Sequence, residues 1–350
     1  MATSIRKPTS TIVNGNQTIP GFTRQGSPVF YPDKPVAELP ATTAARKIDE
    51  KWASLKGTPG SPKVPGRAGL VAAGDGFYRE YTTNHSSIYY SALGVYLVYG
   101  AIGQRYAELG GPNSWLGWPL SDEQDFTDGG RASKFQNGSI YWWPDVGAIE
   151  LGEVSVRYAG MYCTTEMDWD QGSNSDEPYA IFGVIGADQM HTATIRTTIY
   201  EDVDSGDSRP DNIELYRGEP EGLSISVLLM EHDDSDPDKY KEAVRAGVEQ
   251  ASKGVVLGIG QIPYVGDFLA PVAEAILKAA APDITDAINS GLDLKDDVID
   301  SRTFFISAKD MIRMTRVPVG NQYGIFWHLA SPLLTGGGAQ YTVYFSMSAV

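Results

Sequence analysis

Residues 101–119 repeat residues 47–65 at an offset of 54. Ile48, Trp52, Ala53, Leu55 and Gly57 fall on Ile102, Tyr106, Ala107, Leu109 and Gly111. Further on, Gly138–Leu151 (GSIYWWPDVGAIEL) answers to 86–98 (SSIYYSALGVYLV), and 26–39 (GSPVFYPDKPVAEL) matches 138–151 at an offset of 112. A fixed period of this size marks stacked supersecondary units, because a unit of about 50 residues has too little core to stand alone. The chain therefore begins with an extension and a half repeat over 1–43, followed by two repeats over 44–151. Each unit reads as a short helix and then a hairpin. Ile102, Tyr106 and Leu109 share one helical face, Gly110-Gly111-Pro112 ends that helix, and Asn137-Gly138 is a hairpin turn signal between apolar runs.

At these residues the sequence resembles a known family. Leu116-Gly117-Trp118-Pro119, then Leu-Ser-Asp-Glu, then GRASKFQNGSIYW (130–142), is similar to the LGFP repeat of cell-wall-associated actinobacterial proteins and some secreted proteins. Two departures stand out: Trp118 replaces the motif's Phe, and Ser61-Pro62-Lys63-Val64-Pro65 stands at the motif's expected place in the first copy. The resemblance implies attachment to a cell wall or glycan and a location outside the cell or on its surface. Five of seven Trp residues (Trp52, Trp115, Trp118, Trp142, Trp143) lie in this half. Flat aromatic faces suit the C–H faces of sugar rings, so Trp115, Trp118, Trp142 and Trp143 are the candidate glycan-stacking residues; the alternative is that they staple a small core. Adjacent strand residues point to opposite faces, so Trp142 and Trp143 do not both face inward.

The charge changes abruptly near residue 151. Residues 1–150 carry 14 Lys+Arg and 13 Asp+Glu; residues 151–350 carry 14 and 31, a net of −17. A total of −16 argues against a nucleic-acid footprint. The single cysteine excludes an internal disulfide or a multi-cysteine metal site. No signal-peptide core follows Met1, and no run of 18 apolar residues exists.

From 152 onward, segments rich in Val, Ile, Thr and Tyr read as strands of an antiparallel sandwich: Val154–Tyr162, Tyr179–Ile185, Thr192–Tyr200, Asn212–Tyr216, Leu223–Met230, Arg302–Ser307, Gly324–Leu329 and Tyr341–Met347. The fold class is thus mainly β with α insertions: small α+β tandem repeats, then an antiparallel β-sandwich over 152–350 carrying a helical insertion over 237–295. In that insertion, Asp236-Pro237 starts a helix. Phe268–Ala280 and Asp283–Ile288 read as two more, and Gly254–Gly266 is an apolar stretch too short to span a bilayer.

Carboxylates cluster in alternate loops, which antiparallel strands bring to one edge: Glu166 to Glu177, Glu201 to Asp207, and Glu231 to Asp238. Converging carboxylates repel, and a hard divalent cation such as calcium resolves that repulsion with oxygen ligands. Solvated turns are the alternative. The residues at this edge resemble the calcium- and phospholipid-binding β-sandwich of synaptotagmin and protein kinase C. Asp170, Gly172 and Ser175-Asp176-Glu177-Pro178-Tyr179 follow its first loop, with Glu177 inserted. Glu231-His232-Asp233 and Asp296-Asp297-Val298-Ile299-Asp300 follow its third, split here by about 60 residues. The resemblance carries over Asp170, Asp176, Glu231, Asp233 and Asp297 as ligands, and Asp168 and Asp234 complete the candidate calcium set. An EF-hand over Glu166–Glu177 fails at Gln171, where glycine is needed.

No Gly-x-Ser-x-Gly, His-Glu-x-x-His or phosphate loop is present. His232 among carboxylates is a candidate general base or a surface turn residue. The sequence thus predicts a non-enzymatic binding module for wall glycan and, through calcium, for an anionic ligand or membrane. A membrane-active toxin whose helical insertion enters the bilayer is a second reading. A wall hydrolase using carboxylates such as Asp168 with Asp176 is a third.

Overall fold

A computed structural model of the chain describes residues 13–14, 17–18, 41–167, 175–187, 192–232, 236–260, 266–291 and 298–350. The fold is mainly β with α insertions, and the chain divides into two compact units. Two short N-terminal strands, β1 (Val13–Asn14) and β2 (Gln17–Thr18), pair with each other.

One unit holds the repeats. Helix α1 (Ala41–Ser54) precedes an antiparallel sheet in the order β3 (Leu70–Ala73), β4 (Gly76–Glu80), β5 (Ser87–Ser91), β6 (Gly94–Val98). Helix α2 (Gly100–Glu108) precedes a second sheet of β7 (Gln124–Asp125), β8 (Arg131–Phe135), β9 (Gly138–Trp143) and β10 (Gly147–Leu151), again paired in sequence order. Ile48 is buried with Tyr81, Ile88 and Leu97 under α1. Ile102 and Tyr106 are buried with Phe135 and Ile140 under α2. The matched residues of the two copies therefore do the same work: one apolar helix stripe closes one face of each sheet. The charged rim is paired as well. Arg105 of α2 grips Glu150 of β10 with two hydrogen bonds, Nε at 2.7 Å and Nη2 at 3.0 Å.

The other unit is a pair of facing sheets. The first runs β14 (Ser208–Gly218), β11 (Val154–Thr165), β21 (Ala339–Ala349) and β19 (Leu329–Ala330), with β20 (Leu334–Gly336) also on β21. The second runs β13 (Thr192–Arg196), β12 (Pro178–Gly186), β15 (Leu223–Glu231) and β16 (Val298–Ile306). Rings join them: Tyr158 of β11 lies 4.9 Å from Phe182 of β12, and Phe345 of β21 lies 5.2 Å from Phe304 of β16. A short helix α5 (Ala308–Met314), N-capped by the Ser307 hydroxyl, leads to the hairpin β17 (Gly320–Gln322) and β18 (Ile325–Trp327).

The insertion is two helices, α3 (Pro237–Gly260) and α4 (Ala270–Gly291). They bury Val244, Val248, Leu277, Ile284 and Ile288 against Tyr179, Ile181, Ile185, Leu228 and Met230. This explains why β12 and β15 are buried at every residue and read as apolar runs without alternation. Gly183 allows the close approach, since a Cβ there would lie 2.5 Å from Val248 Cγ2. The two helices expected over Phe268–Ala280 and Asp283–Ile288 form one helix that runs through Pro282. Proline inside a helix costs about 3 kcal/mol. Burying Ile284 and Ile288 beyond it returns roughly 1.5–3 kcal/mol each, so packing wins. Val255 is buried while Val256 and Leu257 are exposed, and no described helix is long and apolar enough to cross a membrane.

Candidate functional site

The repeat motif is built on a glycine carbonyl. In the second copy, Gly117 has φ +69° and its carbonyl accepts the Tyr106 hydroxyl at 2.6 Å. The N–H of Trp118 donates to Gln136 Oε1 at 2.7 Å, and Pro119 bridges to Phe135. In the first copy, Gly60 has φ +77° and its carbonyl accepts Trp52 Nε1–H at 2.8 Å. The N–H of Ser61 donates to Thr82 Oγ1 at 3.2 Å, and Pro62 bridges to Tyr81. Backbone bonds agree: Asn137 N–H to Leu116 and Gln136 N–H to Trp118 match Thr83 N–H to Pro59 and Thr82 N–H to Ser61.

The first copy's motif is therefore Pro59-Gly60-Ser61-Pro62, which corrects the expectation that it stands at Ser61–Pro65. The helix-to-motif loop is three residues shorter in the first copy, so the offset changes from 54 to 57. The shared Gly-x-Pro was the signal for this shift. A residue with a Cβ at either glycine would be strained by the positive φ and crowd the capping side chain.

The four candidate tryptophans separate by exposure. Trp118 and Trp143 are core residues, which corrects their assignment as glycan-stacking groups. Trp118 is 5% exposed, packed edge-on to Tyr89 at 6.4 Å and over Gly76. Trp143 is fully buried and donates Nε1–H to the Thr127 carbonyl at 2.8 Å. Trp142 is half-buried on the opposite face of β9 and packs on the α2 side. Trp115 is 49% exposed. Its ring lies against Gly138, where a Cβ would sit 2.9 Å from the ring, and its carbonyl accepts Asn137 Nδ2 at 2.8 Å. Trp115 is thus an open indole face held from behind by the hairpin turn.

At the acidic edge, residues 166–167 and 175–176 lie beside the 201–207 loop, and residues 177–178 lie beside the end of β15. Asp176 and Val203 exchange backbone hydrogen bonds of 3.0 and 2.9 Å, and Pro178 pairs with Glu231. The Glu166 N–H donates to Ser205 Oγ at 3.0 Å, and the Ser205 N–H donates to Glu166 Oε2 at 3.1 Å. Asp176 is 2% exposed. Both its oxygens accept the Met167 N–H, and Oδ2 also accepts the Tyr341 hydroxyl at 2.6 Å. Burial and then this bond raise the Tyr341 hydroxyl well above its ordinary range. Both oxygens of Glu231 accept the Glu177 N–H, at 2.9 and 3.0 Å. Burial pushes the Glu231 carboxyl up to about 7; the nearby charges of Asp176 and Glu177 add to the rise, and N–H bonds from Glu177 and His232 oppose it. His232 stands edge-on to Tyr179, its buried Nδ1 without a hydrogen-bond partner among the described residues. Cys163 is buried, and burial pushes its thiol up to about 11.

The structure brings Asp176 and Glu231 together. Asp168, Asp170, Asp233, Asp234 and Asp297 lie outside the described residues. Among the described residues no three His, Cys, Asp or Glu side chains are grouped to hold a metal ion.

Residues 57–114 and 116–161 match the LGFP repeat. That repeat is associated with cell-surface proteins. No curated protein matches the chain.

Glu231 makes stability depend on pH. A carboxyl whose folded value, about 7, exceeds its ordinary 4.5 stabilises the fold fully below 4.5 and loses that contribution as pH rises through 7. Glu231→Gln fixes the uncharged form and keeps an acceptor for the Glu177 N–H. Thermal melts in chelator between pH 5 and 8 should show the parent chain losing on the order of 1–3 kcal/mol more than the variant; parallel curves would contradict this.

Proposed function

We propose that the chain is a non-enzymatic binding protein that attaches to cell-wall glycan through its repeats and binds calcium at the acidic edge of the sandwich. The observation that carries the first part is the pair of LGFP matches together with Trp115, an exposed indole backed by Gly138 and fixed through Asn137. An exposed apolar ring held rigid loses little entropy on binding, which favours stacking on a sugar face. The calcium reading rests on the meeting of Asp176 with Glu231, on Asp168, Asp170, Asp233 and Asp234, which the sequence sets beside them, and on the resemblance to calcium-dependent sandwiches. Among the described residues both carboxylates retain unused lone pairs, because a carboxylate offers about four acceptor positions. A bound cation with open coordination positions would recruit an anionic group, from a membrane surface or a wall polymer.

Sedimentation with insoluble bacterial wall material tests the repeats. The parent chain should pellet with the wall, and Trp115→Ala should weaken binding at least about tenfold, equivalent to about 1.4 kcal/mol, with an unchanged melting temperature. Equal binding by the variant would remove Trp115 from the site, and no pelleting of the parent chain would remove the glycan reading.

Thermal melts with excess calcium, magnesium or chelator test the edge. A ligand at about 100 times its Kd adds roughly 2.7 kcal/mol to the native state. A calcium-specific rise should be lost in Asp170→Asn and Asp233→Asn. The absence of any rise would leave the edge as hydrogen-bonded turns.

A further inference from the structure

Each repeat sheet has a second face that its own helix does not cover. On β5, Ile88 and Tyr90 belong to the cluster under α1, so Tyr89 points to the other face. On β9, Ile140 and Trp142 pack on the α2 side, so Tyr141 points to the other face. Tyr141 is the repeat counterpart of Tyr89. The second repeat covers Tyr89: Tyr106 lies 5.2 Å away at 67°, and Trp118 lies 6.4 Å away at 75°.

No third repeat follows to cover Tyr141. In its place stands Phe268, at 5.8 Å and 60°, also 5.3 Å from Phe126, and 1% exposed. Phe268 belongs to residues 266–271, which cluster with the repeats. Asp267 anchors that segment. Its carboxylate accepts Gln124 Nε2–H, and its N–H returns a bond to Gln124 Oε1 at 3.0 Å. Lys134 Nζ donates to the Asp267 carbonyl at 3.4 Å and lies 5.8 Å from the centre of the Phe268 ring. The register of β7, β8 and β9 sets Gln124, Ala132, Lys134, Ser139 and Tyr141 on this one face. At the positions of Gln124, Phe126, Lys134 and Trp143 the first repeat has Val71, Ala73, Glu80 and Ser91. The anchor is therefore built into the second repeat alone, with the charge at Lys134 opposite to that at Glu80.

We infer that the outer face of the second repeat is a repeat-stacking surface, and that the chain closes it with Asp267-Phe268 acting as a built-in cap. Arrays of repeats need a terminal cap, because an uncovered stacking face associates with whatever matches it. The partner this face fits is a second copy of the chain, a repeat of which would seat its helix-and-motif side on Tyr141 as Tyr106 and Trp118 seat on Tyr89; such a contact joins two copies head to tail. The occupant of the equivalent Tyr89 face is itself an LGFP repeat, which is what makes another repeat the matching partner.

Analytical ultracentrifugation of the full chain tests the cap. The parent chain and Phe268→Trp, which supplies the ring type that covers Tyr89, should be monomers up to about 100 μM. The double variant Asp267→Ala with Phe268→Ala should form dimers with a Kd in the micromolar range, near −8 kcal/mol. A folded double variant that stays monomeric would overturn the inference, as would a Phe268→Trp chain that dimerises equally. If circular dichroism shows the double variant unfolded, Gln124→Ala with Lys134→Glu, which weakens the anchor and leaves Phe268 in place, should raise the dimer fraction; a monomer there would overturn it too.

Discussion

Every sheet in this protein has two faces, and the structure follows from how each face is kept from water. Strand side chains alternate, so a sheet with one apolar face needs one cover and a sheet with two needs a pair. In the repeats, α1 and α2 cover one face each, and the faces carrying Tyr89 and Tyr141 are closed by Trp118 and Phe268. In the sandwich, the β12–β15 sheet meets the opposing sheet through Phe182 and meets α3 and α4 through Ile181, Ile185, Leu228 and Met230. The helical insertion is the second cover of a sheet buried on both sides.

Within each repeat the cover is registered by one hydrogen bond. The helix aromatic, Trp52 or Tyr106, donates to the carbonyl of a glycine held at positive φ. That bond fixes where the loop crosses the sheet edge, and the residue after the glycine then decides what the copy presents. Trp118 drives into the neighbouring face, whereas Ser61 leaves the first copy's edge open. An aromatic at this position serves packing. The exposed indole comes from Trp115, ahead of the motif, where Gly138 leaves room behind the ring.

Much of this was legible in the sequence, where local pattern and tertiary role coincide. The repeat, the helix stripe of Ile102 and Tyr106, the long strands and the start of α3 at Pro237 all declare themselves through spacing. Other features did not. The register of the first motif was hidden by a three-residue change in loop length, which an offset taken from the helices does not see. The continuity of α4 through Pro282 depends on burial of Ile284 and Ile288, a tertiary gain that local propensity opposes. The inward turn of Trp118 and the role of Phe268 depend on which face lacks a partner, and composition does not report that. At the acidic edge, alternation of strands and loops anticipated that Asp176 and Glu231 meet. That both oxygens of each accept backbone N–H groups was not legible, because the donors, Met167 and Glu177, carry no signal for it.

If the two units are separate binding modules, one for wall glycan and one for calcium as proposed, each ligand should act on its own unit alone. Hydrogen exchange on the intact chain, with soluble wall fragments and with calcium added in turn, tests that division most directly. Wall fragments should slow exchange around 114–118 and 136–138 without changing the sandwich. Calcium should slow exchange around 166–177, 201–207 and 231–236 without changing the repeats. Protection by wall fragments in the acidic loops, or no protection by either ligand, would contradict it.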